Sequence, residues 1–163
     1  MIKKFLFIFT YTFILTFYGS ISVYAACSYT QGWDLVDGSK KIDYSGGTKY
    51  AGLPDAIYAW NKLGKVIIQK DTIWTINDLT IRDYTQANTT LGYTDSAGNI
   101  GFNTFMMDTM TSLQRRKTMM HELGHALGLD HRDTVFISVM RQGIIEMSDI
   151  GPVDQDTYYC LWN

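Results

Sequence analysis

The sequence predicts an α+β domain: a small twisted mixed sheet, one long helix against it and a second helix at the C-terminus. Short runs rich in Val, Ile and Thr recur between residues 41 and 103, and such residues suit a pleated, half-buried surface. Residues 112–127 carry apolar side chains at helical spacing behind Thr111 and Gln114, a capping-box pattern. Further on, Pro152 precedes Tyr158, Leu161 and Trp162, which predicts a proline-led helix over residues 152–161 with an apolar side.

Residues 1–25 have the form of a secretory signal. Lys3 and Lys4 make the positive end, residues 5–17 the apolar stretch, and Val23-Tyr24-Ala25 a small-residue cleavage site. An uncleaved anchor is the competing reading, but Thr10, Thr12 and Thr16 dilute the apolar run. The expectation is therefore an exported, secreted or extracellular chain with no stable membrane insertion after cleavage. What remains, residues 26–163, is one domain with room for a real core, and it is expected to act as a monomer. Hydrophobic residues at 46% and charged residues at 18% describe a globular chain rather than a disordered one. With Lys3 and Lys4 gone, 12 basic residues face 16 acidic ones, a formal −4. The one basic run, Arg115-Arg116-Lys117, is expected to solvate the outer side of its helix, so no nucleic-acid partner is expected.

In chain order, residues 41–44 alternate as a first strand, and Ser45-Gly46-Gly47 breaks it. A helix is predicted over 52–63, with Pro54 in its first turn and Leu53, Ile57, Trp60 and Leu63 on its apolar face; Trp60 is assigned to the core. Residues 66–69 and 79–82 are the next strands, and Trp74 and Ile76 between them predict a short strand or a packed loop. Residues 89–94 and 99–103 form a hairpin around Asp95-Ser96-Ala97-Gly98. Asp95, Ser96 and Asn99 could bind Ca2+ through oxygen, although a turn uses the same residues for its own backbone. In the long helix, Leu113, Met120, Leu123 and Leu127 are assigned to the buried side. Asp149 is a possible cap for the last helix, and Asp154 and Asp156 could brace the turn at Met140, although acidic residues in a first helical turn are usually explained by the helix dipole.

The most informative stretch is His121 to His131, HELGHALGLDH. Residues four apart on a helix share a face, so His121 and His125 turn two imidazoles to one spot, as zinc requires. Glu122 stands beside that spot, where a carboxylate can take a proton from an activated water without being a ligand. Gly128 can adopt positive φ, end the helix and bring His131 round as third ligand. Three protein ligands leave a tetrahedral position free, the mark of a catalytic rather than a structural Zn2+ site.

This pattern, HExxHxxGxxH, resembles the metzincin clan of zinc endopeptidases, and the matrixin subgroup in particular. The resemblance is strong from Thr118 to Met140, looser over residues 41–103, and gives nothing specific before Lys41. It implies a zincin catalytic domain and a methionine-bearing turn beneath the histidines, for which Ser138-Val139-Met140 makes Met140 the candidate. It further implies that Leu91, Gly92 and Tyr93 lie on an edge strand that pairs with an extended peptide or protein substrate. An ordinary hairpin explains those residues equally well. Residues 141–148 would form a wall of the pocket for the side chain just after the scissile bond. Some metzincins add a tyrosine ligand two residues past the methionine; here Gln142 stands there, so no such ligand is expected. No fourth histidine remains for a second zinc site, in which the chain departs from animal matrixins.

Cys27 and Cys160 stand at opposite ends of the expected mature chain and can pair after export. Free thiols, or acylation of Cys27 as a surface lipid anchor, are the alternatives; Tyr24 argues against acylation. The function expected is a zinc endopeptidase, with a non-catalytic zinc-containing surface module or a cell-wall peptide amidase as contrasting classes.

Overall fold

The computed structural model describes residues 27–163; the expected signal segment lies outside them. In order come β1 (Lys41–Gly46), α1 (Leu53–Asn61), β2 (Ile67–Lys70), β3 (Leu79–Tyr84), β4 (Gly92–Asp95), β5 (Asn99–Asn103), α2 (Thr104–Met107), α3 (Ser112–Ala126) and α4 (Pro152–Trp162). This is a small mixed α+β fold, and most predicted elements stand within a residue or two of their expected bounds.

The sheet order is β2-β1-β3-β5-β4. The first four strands run parallel, and β4 folds back antiparallel on β5 with Tyr93 opposite Gly101. Parallel neighbours need a crossover, which α1 supplies between β1 and β2. Along β3, buried Leu79 and Ile81 alternate with exposed Arg82, so one face of the sheet enters the core. There Ile42, Ile68, Ile100 and Phe102 meet Met119, Met120 and Leu123 of α3. Trp60 joins them at 1% exposure, its indole N–H donating to the Met120 carbonyl at 2.9 Å. The core assignment of Trp60 is thus met at its polar tip as well.

Four expectations need correction. Trp74 and Ile76 form neither a strand nor a packed loop: they are 88% and 86% exposed on the β2–β3 connection, outside the sheet ladders. Leu113 is exposed because α3 enters the core only from Lys117 onward. Lys117, expected on the solvated side with Arg115 and Arg116, is 2% exposed. Asp149 does not cap α4. Its carboxylate accepts from the Ile150 N–H and pairs with Lys62, while extended Gly151 is the cap residue, held against the Ile137 carbonyl where a Cβ would collide.

Cys27 and Cys160 form a disulfide with their Cα atoms 5.8 Å apart, which is consistent with an extracellular protein. Among the described residues no helix is long and apolar enough to cross a membrane. The bridge anchors a strap, residues 29–35, that runs along the C-terminal end of α3. The last carbonyls of a helix have no partners within it. Here the Leu35 N–H serves Ala126 O (2.9 Å), the Gln31 N–H serves Gly128 O (3.0 Å), the Gln31 side chain serves His125 O, and the Trp162 indole serves Leu127 O (3.1 Å). The sequence before Lys41 gave no sign of this role.

Candidate metal centre

α3 begins with the predicted capping box: the Thr111 hydroxyl accepts from the Gln114 N–H, and the Gln114 side chain accepts from the Thr111 N–H. It ends at Ala126. The Gly128 N–H then bonds His125 O at 2.9 Å and the Leu129 N–H bonds Gly124 O at 3.0 Å, a Schellman ending with Gly128 at φ +89°. This reversal carries the chain back to His131, as the glycine predicted.

The three histidines converge, with ring centroids 4.6 to 5.1 Å apart and one nitrogen from each within 4.8 Å of the others. His121 Nδ1 is 2.8 Å from Val139 O and His125 Nδ1 is 2.9 Å from Leu129 O. A carbonyl accepts only, so both Nδ1 atoms carry protons and both Nε2 atoms hold bare lone pairs. Burial, reinforced by the Lys117 charge and by neighbouring His125, holds His121 well below the usual histidine range; burial also lowers His125. Neutral imidazoles with oriented second nitrogens are what a divalent metal needs. His125 Nε2 and His131 Nε2 face each other at 3.2 Å. Ligands at about 2.0–2.1 Å from a tetrahedral zinc stand about 3.3 Å apart, so the donor set and its spacing fit that ion. Gln142 reaches His131 Nδ1 at 3.0 Å. If His131 ligates through Nε2, its Nδ1 carries the proton and the Gln142 amide presents oxygen, an orientation of nearly the same shape.

Glu122 lies on the same cleft wall at 4% exposure. Burial pushes its carboxyl up to about 7, against the opposing pulls of the Thr94 hydroxyl and the Lys117 charge. Thr94 of β4 stands 2.8 Å from Oε2 and 2.9 Å from the Glu122 carbonyl, tying the sheet edge to the helix. Gly92 leaves room for this carboxylate, since a Cβ there would meet Oε1 at 3.1 Å and Gly101 O at 3.0 Å. The cleft, about 510 Å³, is lined by Gly92 and Tyr93 of β4, by Leu91, which stands just ahead of that strand rather than in it and accepts from the Asn103 N–H, by Lys117, Thr118, His121, Glu122 and His125 on α3, and by His131, Gln142 and Gly143 below.

Met140 is buried against α3, and its sulfur fills the space that a side chain at Gly124, the residue before His125, would need. Asp154 fixes the turn that carries it. Its carboxylate accepts from the Ser138 hydroxyl (2.5 Å) and the Val139 N–H (2.7 Å), and Ser138 Oγ accepts from the Met140 N–H (3.0 Å). Asp154 therefore does more than meet a helix dipole, whereas Asp156 is exposed. Thr94, Gly124 and Lys117 were missed at the sequence level; of these, only Gly124, a glycine inside a helix, carried a local signal.

The calcium candidates take another arrangement. Asp95 Oδ1 accepts from the Ala97 and Asn99 N–H groups, so the carboxylate organises its own turn. A different acidic group, Asp37, Asp43 and Asp78, brings carboxylate oxygens within 4.8 Å of one another. Each of those accepts a local hydrogen bond, from Ser39 and Lys41, from Gln69, and from the Asp43 N–H respectively.

No protein-family model and no curated protein sequence matches the chain. Its residues by themselves define a class of site: three histidines arranged as a candidate centre for a divalent metal, with a buried carboxylate beside them.

Proposed function

We propose that this chain is a secreted, matrixin-like zinc endopeptidase of the metzincin type. The observation that carries this reading is the convergence of His121, His125 and His131 next to Glu122 in a cleft rimmed by β4, the last strand of the sheet. His121, His125 and His131 would hold the zinc. When bound, zinc supplies Lewis-acid polarisation and makes a water acidic near neutral pH.

The rest of the chemistry falls to the chain's own residues. Glu122, with a carboxyl near 7, can accept the attacking water's proton and later release it to the leaving amine. The water oxygen bonds the carbonyl carbon, the C–N bond breaks, and the shuttled proton ends on the amine nitrogen. Thr94 holds the carboxylate in place between these steps. Residues 91–93 offer backbone groups to an extended peptide, which orients the bond to be cut.

Casein digestion by the disulfide-bonded protein, with zinc added or chelated, tests the reading. Chelation should stop cleavage, and Glu122→Gln should keep its zinc while turnover falls about 10²–10⁴-fold. Full activity in that variant contradicts the role of Glu122; zinc uptake without any hydrolysis would favour a metal-holding binding module.

A further inference from the structure

Lys117 is the feature that the proposed chemistry does not use. It sits one helical turn before His121, is 2% exposed and lines the cleft together with Gln142 and Gly143. Its Nζ donates to the Arg141 carbonyl and, at 3.4 Å, to that of Gly143. An ammonium has three donors, so two carbonyls leave one N–H available. Among the described residues no carboxylate comes within 4.0 Å of Nζ; Glu122, Asp154 and Asp133 act on it only from farther off. Burying a cation is unfavourable unless it is paired, and two carbonyl dipoles do not neutralise a charge. Apart from Glu122 and the histidines, Lys117 is also the one ionisable side chain in the cleft with a charge to offer a substrate: the other wall residues are Thr, Leu, Gly, Gln and Tyr.

We infer that Lys117 is a specificity-determining residue that selects an acidic side chain, Asp or Glu, immediately after the scissile bond. The inference rests on the endopeptidase reading only for which substrate position meets the wall of residues 141–143. The carboxylate would take the remaining N–H and supply the counter-charge that the fold withholds. Such a charge-assisted bond inside a cleft discriminates strongly against an uncharged isostere. The carbonyls of Arg141 and Gly143 hold the ammonium on that wall.

Two C-terminally amidated peptides, identical except for Glu or Gln at that position, are titrated into the Glu122→Gln protein, once zinc-loaded and once stripped of metal. The Glu peptide should bind about tenfold or more tightly than the Gln peptide in both states, and Lys117→Met should bring the ratio to about one. Equal binding of the two peptides to protein that retains Lys117, or a preference that survives Lys117→Met, overturns the inference. Should Lys117→Met fail to fold, the ratio measured with Lys117 in place decides alone. Cleavage by the native protein is scored separately. Discrimination without cleavage keeps the Lys117 site and removes the hydrolase reading, and cleavage without discrimination does the reverse.

Discussion

The two sides of the cleft are held by different physics. Above α3, the sheet repeats one device: backbone ladders between neighbouring strands, with Ile, Leu and Phe on the inner face. Below it, residues 130–149 contain no strand or helix and hang on a few polar side chains. Asp154 holds Ser138 and Val139, Asp133 accepts from the Gln142 N–H at 2.8 Å, and Lys117 holds the Arg141 carbonyl. The sheet spreads its stability over many small contributions, whereas the lower wall concentrates its geometry in a few side chains, of which Asp154 and Lys117 are buried and Asp133 is exposed. Substitutions above should weaken the whole fold; substitutions below should disturb the site more than their stability effect alone would imply.

The largest stability effect is expected in the apolar core that the sheet shares with α1 and α3. Trp60→Ala removes a fully buried indole and the bond that it donates to the Met120 carbonyl, and leaves a cavity in the core, so urea unfolding should show a loss of about 3–5 kcal/mol. A loss below about 1 kcal/mol would break the comparison. Asp154→Ala should be somewhat milder, about 2–4 kcal/mol, because the Ser138 hydroxyl and Val139 N–H lose their buried acceptor. It should also weaken zinc binding about tenfold or more in a competition titration, since Val139 O orients the His121 ring. Unchanged zinc affinity in that variant would detach the lower wall from the metal centre.

The smallest effect concerns Lys117, whose ammonium is pushed down to about 8 by burial. The unfolded chain keeps that proton up to the ordinary lysine value of 10.5, so between about 8 and 10.5 it binds more protons than the folded one. Stability should therefore rise through this window, by at most about 3 kcal/mol, and the gain is lost as pH falls back through 8. Urea unfolding across the window, compared with Lys117→Met, isolates the effect. Identical pH profiles in the two proteins would show that the lysine is not held in a desolvated wall.

The same contrast explains what was legible in the sequence. Strand and helix positions above the cleft followed from periodicity, because burial on one face leaves a mark every second residue or every third and fourth. HELGHALGLDH was legible for a related reason: helix spacing and one positive-φ glycine fix where three side chains go. Lys117 broke the rule that links charge to solvent, since its helical face was readable but the carbonyls awaiting it lie 24 and 26 residues away. The Thr94 contact with Glu122 spans 28 residues and had no local trace. Trp74 and Ile76 misled because exposed and buried apolar side chains look alike without a partner strand to test them.

X-ray absorption spectroscopy at the zinc edge of the zinc-loaded protein tests the central claim most directly. Three imidazole nitrogens at about 2.0–2.1 Å with a further light-atom donor from solvent are predicted, falling to two imidazoles in His131→Ala. A coordination sphere filled entirely by protein atoms, or a spectrum that His131→Ala leaves unchanged, would contradict it.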